Sequence, residues 1–230
     1  GNFMLLFALS MLVAGVGLYI ASRINIRPRR PVESRKLSLD RFFLVRGWRQ
    51  AVIICCFGLS YGVLSTYLAI YGKERLGITG GTGLYFMILS AGLMLSRLQG
   101  GRALRDGKVS ENAAIGVSIS VFGYILFAAV PDMWAYYASA LIIGLGNGHM
   151  FPAVQTMFIN LAPNSQRGTA NSTLYSAWDA GVGIGVFFGG IMAEVWGYAS
   201  AFWMGALVNA FGVIFFFTHV RKTFERDRLR

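Results

Sequence analysis

The sequence predicts an all-α polytopic membrane protein with seven transmembrane helices, and three observations carry that reading. Of the 230 residues, 55% are hydrophobic and only 13% charged, against about 25% charged in a soluble domain. Seven runs approach or exceed the roughly 20 mostly apolar residues that cross a bilayer as a helix. The Lys and Arg residues fall almost entirely in alternate connections between those runs. The composition excludes disorder and argues against a water-soluble globule. The spans must be helical, because an open sheet would leave backbone groups unpaired in lipid.

The first span is expected at 1–22. It opens on Gly1 with neither a charged leader nor a small-residue cleavage site, so it does not read as a signal peptide. The expectation is a segment of a longer chain. Residues 23–49 form a basic connection, with a proline-broken RPRRP stretch at 27–31 and an amphipathic SLDRFF stretch at 38–43 suited to an inner membrane surface. Six further spans follow at about 50–71, 82–99, 112–130, 134–160, 171–196 and 198–219. They are joined by short turns and so form one bundle over 50–219, ahead of a basic tail at 220–230.

The net charge is +11, from 21 Lys and Arg against 10 Asp and Glu. Nineteen of the 21 lie in 23–49, 97–108, the 160–171 turn and the tail; the other connections hold only Lys73 and Arg75. By the positive-inside rule the basic connections and the C-terminus face the cytoplasm, and by parity the first span enters from outside. The basic excess is thus read as a topology signal for a lipid bilayer, not for nucleic acid. Cys55 and Cys56 are adjacent within an apolar run; a bridge between neighbours is strained, so they are expected as packed free thiols. There is no metal-ligand spacing, nucleophile motif or phosphate-cradling loop. The chain is therefore expected to be no enzyme and to need no cofactor, with an ion gradient and not ATP as the energy source.

Three stretches carry a resemblance. They are SLDRFFLVRGWRQA (38–51), GGRALRDGK (100–108) and LAPNSQRGTANSTLYSAWDAGVGIG (161–185). Together with the span pattern, they resemble the major facilitator superfamily, and the third stretch resembles the drug:proton antiporter branch. In the second stretch Gly101, Arg102, Arg105, Asp106, Gly107 and Lys108 correspond to a loop signature, with Arg105 standing where an Asp is expected and Asp106 following one residue late. Arg167 and Gly168 sit in the third. The resemblance implies two six-span halves, each a nested pair of inverted three-helix repeats. This chain would supply the sixth span, the central loop and spans seven to twelve. The partner would be an N-terminal half from the rest of the same chain, and the location a bacterial inner membrane. The implied function is proton-coupled efflux of a small molecule by alternating access. An uptake permease of the same fold, or a non-transporting receptor or scaffold, are the alternatives.

Among single residues, Asp179 is the sharpest signal. It is an acid deep inside a span, where an aspartate costs roughly 2.5–3.5 kcal/mol on the insertion scale. Ser172, Tyr175, Ser176 and Asp179 share one helical face, while Gly181, Gly185 and Gly189 make a small-residue stripe turned about 200° away. The functional reading is a proton-coupling or substrate-contacting carboxylate; the structural one is a buried, hydrogen-bonded acid. His149 and Asn147, near Pro152, are further polar candidates about 200° apart, as is Gln155. The resemblance adds Tyr61 and Tyr67 as contacts lining a central cavity, with helix packing as the alternative. The basic cluster of Arg97, Arg102, Arg105 and Lys108 reads as a gate or as an anchor on anionic lipid.

Overall fold

The computed structural model describes residues 3–24 and 43–229. Among them are α1 (Phe3–Ser22), α2 (Trp48–Leu76), α3 (Gly83–Arg105), α4 (Val109–Ala129), α5 (Met133–Leu161), α6 (Arg167–Trp196), α7 (Tyr198–Phe215) and a short α8 (Arg221–Asp227). The helix α1 belongs to one compact unit and α2–α8 to another. The RPRRP and SLDRF portions of the expected amphipathic connection lie outside the described residues. Phe43, at its end, packs against the core of the second unit.

Seven long helices therefore stand where seven apolar runs were read. Five of them are long and apolar enough to cross a membrane by length and composition alone. The exceptions are α3, which carries the exposed Arg97, Gln99, Arg102 and Arg105 in its second half, and α5, whose polar residues mostly turn inward. Ser96 on α3 and Ser139, Asn147 and His149 on α5 are all buried, and each makes a hydrogen bond.

Several helices run past the apolar runs, for one reason. Backbone hydrogen bonding continues where lipid-compatible sequence stops. The helix α3 runs past 99 to Arg105, so Gly101, Arg102 and Arg105 are helical and not loop residues. Only Asp106, Gly107 and Lys108 separate it from α4. Gly107 takes a left-handed φ of 77°, and the Lys108 N–H returns to the Ala103 carbonyl at 2.9 Å. A residue with a Cβ would be strained there. At the other end, α7 passes through a π-helical turn, Phe216–Val220, directly into α8. The α8 segment is docked: Phe224 is fully buried, the Ser110 hydroxyl donates to the Glu225 carboxylate, and the Leu229 N–H donates to the Asn160 carbonyl. The fifth span stays one continuous helix through Pro152.

Packing rests on glycine-lined crossings. The α2 and α6 backbones meet with small residues on both sides. A methyl group added at Gly58 would stand 2.6 Å from the Trp178 carbonyl oxygen, and one at Gly62 would stand 2.5 Å from that of Val182. In return, Gly181 and Gly185 lie against the Cys55 and Leu59 carbonyls. The α3–α5 crossing repeats the device with Gly92 and Gly144. With no hydrophobic force between helices in lipid, such close approach supplies the van der Waals contact that holds them. Two buried clusters fill the remainder. At the basic end Phe57, Met150, Phe158 and Phe216 are buried. At the far end the cluster is aromatic, with Tyr85 and Tyr136 ring centroids 4.8 Å apart and Phe127 and Phe202 4.6 Å apart.

Candidate functional site

The helix α6 has two chemically opposed faces. Its buried residues are Ala170, Thr173, Leu174, Gly181, Gly185 and Gly189. Ser172, Tyr175, Ser176 and Asp179 are exposed on the surface of the six-helix unit. The Asp179 carboxylate has no hydrogen bond or ion pair among the described residues. Within this unit the carboxylate is neither buried nor hydrogen-bonded.

One turn before Asp179, Tyr175 reaches a cavity of about 360 Å³ between α3, α5 and α6. Arg97 and Gly101 from α3, Asn112 from α4, and Phe151 and Gln155 from α5 also line it. Residues four apart on a helix are neighbours, about 5–6 Å between Cβ atoms. Asp179 lies one turn beyond Tyr175 and is not itself one of the lining residues. Arg97, on its rim, is exposed and likewise has no ion pair among the described residues.

The lining residues Asn112, Gln155, Phe151 and Tyr175 are each joined to further polar or aromatic groups. His149 Nδ1 lies 2.8 Å from Asn112 Oδ1, and the Asn112 Nδ2 donates to the His149 carbonyl at 3.2 Å. This double contact fixes the imidazole beside Gly100, where an added methyl would fall 2.9 Å from Nδ1. Gln155 donates to Asn171 Oδ1 at 3.1 Å, joining α5 to α6. A chain of ring contacts runs from Tyr61 to Trp178 (5.5 Å between centroids), then to Phe151 (5.4 Å, edge to face) and Tyr175 (6.0 Å), the last two of which line the cavity. Rings with polar tips beside an imidazole and an amide suit a ligand that is apolar over most of its surface and polar at a few points.

Of the candidates, Gln155 and Tyr175 line the cavity, His149 lies behind it against Asn112, Tyr61 connects to it only through Trp178 and Phe151, and Asp179 lies one helical turn beyond Tyr175. The structure sends two other candidates elsewhere. The Tyr67 hydroxyl donates to the Val186 carbonyl at 2.7 Å and its ring packs on Tyr198, which places it in the α2–α6–α7 contact. Asn147 accepts from the Ser120 hydroxyl at 2.8 Å, between α4 and α5. Of the loop residues, Gly101 lines the cavity, and Arg102 and Arg105 are exposed on the last turns of α3. Asp106, Gly107 and Lys108 face a separate cleft of about 230 Å³ shared with Arg221, Glu225 and Arg228 of the C-terminal segment. Arg167 and Gly168 begin α6 and are exposed.

Asn112, Phe151 and Trp178 are members of this set of contacts that sequence reasoning did not single out. Asn112 had a signal: it is a polar residue at the very start of an apolar run. Among the described residues no group of three His, Cys, Asp or Glu side chains could hold a metal ion.

Comparison with known proteins decides the family. The sequence model of the Major Facilitator Superfamily matches residues 107–229. The chain belongs to this superfamily. Its relatives include the multi-drug resistance efflux pump PmrA homolog of Lactococcus lactis, 30% identical over 77% of this chain and 46% of that protein. The multidrug resistance protein MdtG of Klebsiella pneumoniae is 25% identical over 77% of this chain and 45% of its own length. The chain spans about half the length of the curated relatives it matches. Among solved structures, a mutant of the peptide transporter POT in complex with sulfate superposes with a TM-score of 0.66 at 18% identity, over 80% of this chain and 39% of that one. That likeness shows the fold. The superfamily is one of integral membrane transporters and not of enzymes. In a facilitator chain the α2–α6 and α3–α5 crossings correspond to each other, since α2–α4 and α5–α7 are the two inverted three-helix repeats.

Proposed function

We propose that this facilitator chain forms one wall of a secondary transporter that exports small amphipathic molecules in exchange for protons. The observation that carries the reading is Asp179: a carboxylate within a membrane helix, unpartnered, one turn from a cavity with aromatic and polar lining. An acid placed there at a cost of several kcal/mol is a functional group by default. Asp179 exchanges the proton, and Tyr61, Tyr175, His149 and Gln155 shape the binding surface. The names of the relatives support efflux of drug-like compounds.

The exposed faces of α3 and α6, with Met87, Met94, Leu98, Phe187 and Phe188 beside the polar residues, would be covered by a first six-helix half of the same protein. The basic connections and the tail lie in the cytoplasm of a bacterial inner membrane. Residues 1–230 reconstituted alone would not transport, because the cavity has only one wall.

The test is Asp179→Asn in the full-length transporter. Export driven by an imposed pH gradient is lost, while substrate counterflow without a gradient persists. Unchanged gradient-driven export removes the coupling role. Arg97 on the cavity rim gives one specific observation in favour of uptake of an anionic solute by the same fold. Inward flux of organic anions that is abolished by Arg97→Gln would establish that reading instead.

A further inference from the structure

At the basic end of the bundle, away from the cavity, α2 begins beside the C-terminal segment. Val45, Arg46, Trp48, Arg49 and Asp227 line a cleft of about 490 Å³ there. Its lining brings two guanidinium groups, at and just before the start of α2, together with one carboxylate from the C-terminal segment. Trp48 is 45% exposed although it is a large apolar residue, and the Arg49 guanidinium stands 4.9 Å over its ring. The apolar side of the cleft continues along α7. Trp48 packs on Phe215 (6.3 Å), Phe215 stacks on Phe211 (6.1 Å, 14° between planes), and Phe211 and Ile214 are exposed. A polar, charged pocket thus opens onto a lipid-facing aromatic track at the point where an apolar helix leaves the membrane.

We propose that this cleft binds one glycerophospholipid with a primary-ammonium headgroup, of the phosphatidylethanolamine class. The phosphodiester sits between Arg46 and Arg49, whose planar forks match phosphate oxygens. The ammonium reaches the Asp227 carboxylate, and an acyl chain lies along Trp48, Phe215 and Phe211. Charge complementarity selects the headgroup. Phosphatidylglycerol carries the same phosphodiester but a neutral glycerol in place of the ammonium, so it has no positive charge to pair with Asp227. A quaternary ammonium could not donate a hydrogen bond to it. Asp227 is held in place by Arg226, whose Nε donates to Oδ1 at 2.8 Å. That contact, with Arg46 and Arg49 nearby, keeps its carboxyl below the usual carboxylate range, so it is charged at neutral pH. Basic pockets between helices at the membrane surface bind anionic headgroups; here the carboxylate of Asp227 adds the acceptor that an ammonium requires.

The experiment is native mass spectrometry of the full-length protein in detergent, with dioleoyl phosphatidylethanolamine, phosphatidylglycerol and phosphatidylcholine at equal concentration. The ethanolamine lipid is retained over the other two by about tenfold, the equivalent of one charge-assisted hydrogen bond. The double variant Arg46→Gln/Arg49→Gln loses that retention, while Lys73→Gln, at the opposite end of α2, keeps it. Asp227→Asn abolishes the preference for ethanolamine over choline lipid without abolishing lipid binding. Each variant is first shown to elute as the wild type does on size exclusion. Equal retention of the three lipids, or unchanged ethanolamine-lipid retention in the arginine double variant, overturns the site. So does full competition by glycerophosphoethanolamine at equal concentration, which would make the ligand a soluble phosphate ester.

Discussion

The two faces of α6 obey different rules although they share one backbone. On one face Gly181 and Gly185 press against the α2 carbonyls of Cys55 and Leu59, with no room for a side chain. On the other, Gly183 has no heavy atom within 4 Å of where its Cβ would be, and Asp179 stands exposed and unpaired. The first face is fixed by packing, so its residues answer to volume. The second is not used for packing within this unit, so its residues are free to answer to chemistry. A polar acid persists in a membrane helix because the glycine face already supplies the adhesion.

Substitutions can break or sharpen this contrast. The largest effect is expected from Gly185→Leu. The new side chain overlaps the Leu59 carbonyl backbone and costs about 3 kcal/mol or more in forced separation of α2 and α6. Loss of the monodisperse peak in size exclusion is the readout, and a wild-type profile would show that the crossing is loose. Next is Asn112→Leu, which leaves His149 Nδ1 buried without its partner and costs about 1–3 kcal/mol. A drop in melting temperature measures it, and an unchanged melting temperature would mean that the pair contributes nothing. Tyr175→Ala removes a ring from the chain of ring contacts at about 0.5–1.5 kcal/mol, weakening substrate affinity several-fold with little change in stability. Equilibrium binding to the full-length transporter checks it. The smallest effect is Gly183→Ala, which stabilises the helix by about 0.5–1 kcal/mol. The same substitution at Gly185 destabilises, and that reversal of sign within one helix is the comparison in its barest form.

The two faces were legible in the sequence because helical periodicity alone separates 181, 185 and 189 from 172, 175, 176 and 179. So were the spans, since a bilayer demands long apolar runs. Partners were less legible. The Asn112–His149 contact joins residues 37 apart across two helices, and no arithmetic on a single helix can reveal it. Tyr67 satisfied every local criterion for a cavity residue, yet its hydroxyl finds the Val186 carbonyl on α6. The docking of α8 was hidden for a different reason. Its anchor is one buried phenylalanine, Phe224, in a segment otherwise dominated by charge, so composition reads it as a solvated tail.

Proton release on substrate binding tests the central claim most directly. The full-length transporter in weakly buffered detergent, mixed with substrate in the presence of a pH indicator, should release protons as it binds, and Asp179→Asn should bind the same substrate and release none. Equal proton release from both proteins would place the coupling group elsewhere and leave Asp179 without the role assigned to it.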